Sequence, residues 1–182
     1  QLANRYDFID INRVGIFGHS GGGFMATAAI CTYPDFYKAA VSSSGNHDNN
    51  IYNRGWVEIY NGVQESTKTI QTATGKDSII YTFSSHVPTN MELAKNLKGH
   101  LLLVSGDQDR NVHPAHLLRM ANALIQANKN FEMLLIPGAK HGYTGQANRF
   151  FEKKLWFHFA KYLLGDFSSE QFTDLDETLK IK

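Results

Sequence analysis

Arg13-Val14-Gly15-Ile16-Phe17-Gly18-His19-Ser20-Gly21-Gly22-Gly23-Phe24 reads as a short apolar strand that runs through Gly-x-Ser-x-Gly into a helix. A serine on such a tight, strained turn has its Oγ projected outward. Gly18 and Gly22, two residues either side of Ser20, are expected to remove side chains that would clash there. Gly21, directly after the serine, offers its backbone N–H at the start of the helix as a donor to a developing oxyanion. A glycine-rich turn with a bystander serine is the alternative; the strand before and the helix after argue against it.

Outward from this elbow, short apolar runs at 14–17, 39–42, 101–105 and 131–136 alternate with stretches of helical spacing at 22–32, 115–128 and 150–164. Buried strands alternating with amphipathic helices predict an α/β chain with a parallel sheet flanked by helices. Within 115–128, Leu117, Leu118, Ala121, Leu124 and Ile125 share one face, and Pro114 suits the first helical turn. The segment 45–90 breaks the rhythm. It is polar, carries Tyr52, Trp56 and Tyr60, and reads as an excursion with a short strand at 79–83 and a helix at 88–97 leading back to the sheet. After Gly165 the chain turns acidic, as a final helix or a frayed end.

A serine hydroxyl is a weak nucleophile, so a catalytic Ser20 requires a base and an orienting carboxylate. The run 101–105 is followed by Gly106-Asp107-Gln108-Asp109-Arg110-Asn111-Val112, which offers two carboxylates, Asp107 and Asp109. The run 131–136 is followed by Pro137-Gly138-Ala139-Lys140-His141-Gly142, which offers an imidazole. C-terminal ends of parallel strands open on one edge, so serine, acid and His141 can converge there. Their order along the chain is that of α/β-hydrolases. In this arrangement His141 takes the Ser20 proton and returns it to the leaving group, while the carboxylate fixes the tautomer. Of the rival bases, His19 sits on the elbow and cannot easily turn back onto its neighbour, and His113 and His116 flank a helix start on another loop. No third ligand accompanies His113 and His116, so no metal is expected, and no cofactor.

Composition narrows the remaining possibilities. A chain of 182 residues that is 42% hydrophobic can bury a conventional core and suits one domain. Eighteen Lys and Arg against 17 Asp and Glu leave no basic stripe for a nucleic acid. The longest apolar stretches, 101–104 and 133–136, fall far short of the ~20 residues that span a bilayer. Cys31, the one cysteine, reads as a small core residue. The opening residues Gln1 to Tyr6 look like the end of a helix, and with no initiating Met the chain is expected to be part of something longer.

On Gly18-His19-Ser20-Gly21-Gly22-Gly23, Gly106-Asp107-Gln108-Asp109-Arg110-Asn111-Val112-His113, Pro137-Gly138 and His141-Gly142, the chain resembles the catalytic domain of the prolyl oligopeptidase family. The likeness is strongest to its bacterial dipeptidyl peptidase IV branch and spans nearly all the residues. It implies the C-terminal half of an α/β-hydrolase fold and selects Asp109 as the acid, three residues before Val112. The elbow departs from the branch, which usually has Trp before the serine and Tyr after it, where His19 and Gly21 stand here. By the same resemblance Tyr52 and Trp56, four apart, match aromatics that wall the pocket for the residue before the scissile bond, and Asn111 matches an amide that holds a substrate carbonyl.

The resemblance implies a serine peptidase that takes a peptide substrate and cleaves after Pro or Ala near its N-terminus, by a Ser20–Asp109–His141 triad and an acyl-enzyme. Other strands, a tyrosine completing the oxyanion hole, a β-propeller and the acidic residues that grip a free N-terminus are expected outside these 182 residues, and loss of one oxyanion donor costs ~100- to 1,000-fold. Bacterial members are usually exported to the periplasm or cell surface. Carboxylesterases use the same fold and triad, and a noncatalytic assembly fragment is the reading from a different class. With the strand at 14–17 left as an apolar sheet edge, the isolated chain is expected to dimerise, swap elements or aggregate, whereas a monodisperse monomer at high concentration refutes this.

Overall fold

The computed structural model describes residues 1–84 and 86–170. Its contacts divide the chain into two compact units, one of 1–47 with 90 onward and one of 48–89.

In the first unit four parallel strands lie in the order β1 (Val14–His19), β2 (Tyr37–Ser43), β5 (His100–Gly106), β6 (Glu132–Ile136). Their register sets Phe17 beside Val41, Val41 beside Leu102, and Val104 beside Leu134. Successive side chains along a strand point to opposite faces, so this register sorts the apolar residues into two cores. On one face Ala40, Leu101 and Leu103 pack with Ile30 and Cys31 of α1 (Gly21–Thr32) and with Leu117, Met120 and Leu124 of α4 (Ala115–Gln126). On the other, Val41, Leu102, Val104 and Ile136 pack with Phe151, Leu155 and Phe159 of α5 (Gly145–Phe159). Each of the buried Val, Leu, Ile and Met side chains contributes about 1.5–3 kcal/mol. Cys31 is in the core, where burial pushes its thiol up to about 12. Phe17, on the edge strand β1, is 66% exposed.

A short helix, α3 (Asn90–Leu93), and a 3₁₀ turn over Ala94–Asn96 lead into β5. The Asn90 side chain donates to the Phe24 carbonyl at 2.9 Å and pairs with His47 Nδ1 at 3.0 Å, tying α3 to α1. His47 is fully buried, and desolvation lowers its pKa to about 3, keeping the ring neutral.

The second unit holds α2 (Arg54–Asn61) and an antiparallel hairpin, β3 (Gln64–Gln71) with β4 (Asp77–Ser84). Its two ends are joined by one side chain: the Asn50 amide donates to the Val87 carbonyl at 2.8 Å and accepts from the Val87 N–H at 2.9 Å. Asn53 caps α2 by accepting from the Trp56 N–H at 3.1 Å.

The structure departs from the sequence expectations at several boundaries. Helix α5 starts at Gly145, five residues before the expected 150, because Gln146, Asn148 and Arg149 hide the apolar period that Ala147 shares with Phe151 and Leu155. A π-turn over Ala160–Leu164 follows it. Helix α4 stops at Gln126, short of the expected 128, where Asn128 takes a left-handed φ of 53° and the Lys129 N–H closes onto the Leu124 carbonyl. The expected helix at 88–97 begins only at Asn90, after Pro88. The expected strand at 79–83 is part of β4; its partner β3 and helix α2 were not anticipated. Every β3 residue except Ile70 is exposed, so it carries no buried alternation. The acidic tail beyond 170 lies outside the described residues. Among the described residues no helix is long and apolar enough to cross a membrane.

Candidate active site

Ser20 sits where β1 ends and α1 begins, with φ 60° and ψ −123°, a conformation that non-glycine residues rarely hold. The turn is fastened to the sheet by the Ser20 N–H, which donates to the Ser43 carbonyl of β2 at 2.8 Å. A Cβ on Gly18 would lie 2.2 Å from the Gly22 carbonyl oxygen, so residue 18 must be glycine for the backbone to double back. Gly22 itself faces open space, a correction to the sequence expectation; the second sterically required glycine is Gly23, whose Cβ would lie 2.6 Å from the Ser43 carbonyl oxygen. Gly21 opens α1, among the first helical amides that lack an intrahelical acceptor.

The loop after β5 carries both candidate acids. Asp109 is 1% exposed; its Oδ1 accepts from the Asn111 and Val112 N–H groups, both at 2.9 Å, and its Oδ2 lies 2.8 Å from His141 Nδ1. His141 Nε2 in turn lies 3.0 Å from Ser20 Oγ. The three residues picked from the sequence thus form one continuous hydrogen-bonded row. Asp107, the rival acid, is used otherwise: its Oδ1 accepts from the Gly138 N–H at 2.6 Å and braces the loop that carries His141. The same two loops meet again where the Gln108 N–H donates to the Ala139 carbonyl at 3.0 Å.

The rival bases take other places. His113 Nδ1 accepts from the Ala115 N–H at 3.2 Å, at the start of α4, and His116 is buried within that helix. His19 Nδ1 lies 3.0 Å from Ser43 Oγ, and its ring stands 4.7 Å from that of His141, an arrangement the sequence reasoning missed. Only the position of His19, next to the elbow serine, hinted at it. Burial, and then the neighbouring His141, lower the His19 pKa below the usual imidazole value; Asp109 opposes them. Tyr143 completes this corner, with its OH 2.9 Å from Ser43 Oγ and 3.3 Å from Ser44 Oγ.

Asn111 contributes its backbone N–H to Asp109. In the second unit, Tyr52 and Trp56 meet edge to face at 5.6 Å, and Trp56 lies 4.8 Å from Tyr60. Among the described residues no three His, Cys, Asp or Glu side chains come together as a metal-binding group.

Chemically, the row can move a proton from a hydroxyl to an imidazole whose cation faces a buried carboxylate, beside a helix N-terminus able to receive negative charge. The family model for the prolyl oligopeptidase family matches residues 1–167. Human dipeptidyl peptidase 8 is 32% identical over 140 residues, 77% of this chain and 14% of that protein. Bovine prolyl endopeptidase FAP is 26% identical over 161 residues, 88% of this chain and 19% of that protein. The crystal structure of Porphyromonas gingivalis dipeptidyl peptidase 4 superposes with a TM-score of 0.67 at 25% identity, covering 90% of this chain and 21% of that one. The chain therefore spans about a fifth or less of the length of these relatives. With its parallel sheet, its strained serine between strand and helix, and a family match over nearly all its residues, the chain has an α/β-hydrolase fold and belongs to the prolyl oligopeptidase family.

Proposed function

We propose that this chain carries the catalytic residues of a serine peptidase that cleaves after Pro or Ala near a peptide N-terminus. The observation that carries the reading is the row Ser20 Oγ–His141 Nε2 at 3.0 Å and His141 Nδ1–Asp109 Oδ2 at 2.8 Å. In this reading Ser20 Oγ attacks the scissile carbonyl carbon while His141 takes its proton, and the Gly21 N–H donates to the oxyanion. His141 then protonates the leaving amine as the C–N bond breaks, leaving an acyl-enzyme on Ser20. Water, deprotonated by His141, attacks that ester and releases the acid. Asp109, buried and anchored by two N–H groups, holds the imidazole in the tautomer with Nε2 facing Ser20.

From the family resemblance alone we assign Tyr52 and Trp56 to the residue before the scissile bond, where flat apolar rings suit proline, and the Asn111 side chain to a substrate carbonyl. The names of the relatives, which include dipeptidyl peptidases and a prolyl endopeptidase, support the peptide class. The test is a substrate panel on the full-length protein: dipeptide amides ending in Pro, Ala or Leu, their N-blocked forms, and simple esters. Cleavage of Pro and Ala amides is expected, with KM for the Pro amide raised about 10-fold or more in Trp56→Ala, within the cost of emptying a hydrophobic subsite. Turnover of esters alone would move the assignment to a carboxylesterase.

A further inference from the structure

Beside the row that ends on Ser20 lies a second one. His19 Nδ1 is 3.0 Å from Ser43 Oγ, and Ser43 Oγ donates to the Tyr143 OH at 2.9 Å. Tyr143 is two residues past His141, so these bonds tie the ends of β1 and β2 to the loop that carries the proposed base. His19 makes a further contact with that loop: its ring lies 4.7 Å from the His141 ring at an interplanar angle of 51°. The Tyr143 ring meets it edge-on at 5.8 Å. None of these contacts reaches Ser20 Oγ, whose bond is to His141 Nε2.

We propose that His19, in its neutral form, is a positioning residue that holds the His141 imidazole in line for proton transfer from Ser20, an inference that rests on the hydrolase reading above. The ring contact blocks rotation of His141 away from Ser20, and the bond to Ser43 Oγ fixes the blocking ring. Neutrality matters because His141 becomes a cation during attack, and a second cation 4.7 Å away would oppose it. The titratable groups that face His19 are His141 and Tyr143 on the β6–α5 loop and Asp109 on the β5–α4 loop; from β2 it meets the uncharged Ser43. Asp109 favours the charged form of His19, but burial and His141 outweigh it, which leaves His19 neutral at pH 7.

The experiment measures the rate of Ser20 acylation by a fluorophosphonate, and kcat and KM on a Pro amide, in the full-length protein. Wild type is compared with His19→Phe, which keeps a flat ring without its hydrogen bonds, and His19→Asn, whose amide can still donate to Ser43 Oγ. Expected are a loss of about 10- to 100-fold in kcat with KM unchanged in His19→Asn, which removes the blocking ring, the scale of a small misplacement of a reacting group, and recovery of part of that loss in His19→Phe, which keeps a ring there. Should His19→Phe not fold, kcat against KM in His19→Asn decides alone. Wild-type kcat in His19→Asn overturns the role of His19 while Ser20-dependent acylation leaves the hydrolase reading standing. No Ser20-dependent acylation in wild type overturns the hydrolase reading and this inference together.

Discussion

Asp109→Asn is expected to lower turnover by about four orders of magnitude while the protein stays folded. The environment of the carboxylate dictates the direction. Oδ1 accepts two N–H groups, from Asn111 and Val112, so an asparagine must place its carbonyl oxygen there and turn its NH₂ toward His141. A donor facing Nδ1 forces the neutral imidazole to carry its proton on Nε2, which lies 3.0 Å from Ser20 Oγ and can then no longer accept the hydroxyl proton. In the proposed mechanism the acid thus acts through the tautomer of its neighbour as much as through its charge. The measurement is kcat/KM on a cleaved amide for wild type and variant, with near-ultraviolet circular dichroism as the folding control. A loss under tenfold in a folded variant contradicts the role given to Asp109.

The second large effect separates two adjacent glycines. Gly23→Ala places a methyl group 2.6 Å from the Ser43 carbonyl oxygen and 3.0 Å from Gly45 Cα, both backbone atoms that cannot swing aside. The Ser43 carbonyl also receives the Ser20 N–H at 2.8 Å, so relief of the clash pulls on the elbow itself. The expected cost is about 1–3 kcal/mol, the range for forcing extra volume into a packed site, together with a fall in acylation rate. Gly22→Ala meets nothing within 4 Å and replaces a poor helix former by the best one, so its stability stays level or rises by up to about 1 kcal/mol. Urea unfolding of the two variants reads both values, and equal destabilisation of the two contradicts the structure of the turn.

This pair of glycines also marks what a sequence can and cannot disclose. The strand, the serine and the helix of the elbow are legible because Val14 to Phe17 are apolar and the Gly-x-Ser-x-Gly pattern breaks that run. Which glycine touches what is not legible, since it depends on how α1 lies across β2. Asp109 and His141 were found from their places after strands β5 and β6, whose Leu101–Val104 and Met133–Ile136 runs stand out. The choice between Asp107 and Asp109 needed the family resemblance; in the structure the two carboxylates divide the work, one bracing the His141 loop and the other meeting the imidazole. Strand β3 was missed because a hairpin exposed on nearly all its positions needs no apolar alternation. The first turn of α5 was missed for a similar reason, being polar apart from Ala147. His19 escaped because its partners, Ser43 and Tyr143, are 24 and 124 residues away, and only the folded sheet brings them to one corner.

The most direct test of the account is covalent. The full-length protein is treated with a fluorophosphonate and the modified residue is located by mass spectrometry, with Ser20→Ala as the control. An adduct on Ser20 that disappears in Ser20→Ala and forms far more slowly in Asp109→Asn is the predicted result. A folded protein whose Ser20 remains unmodified, or an adduct that survives in Ser20→Ala, contradicts the claim that Ser20, His141 and Asp109 form a working catalytic row.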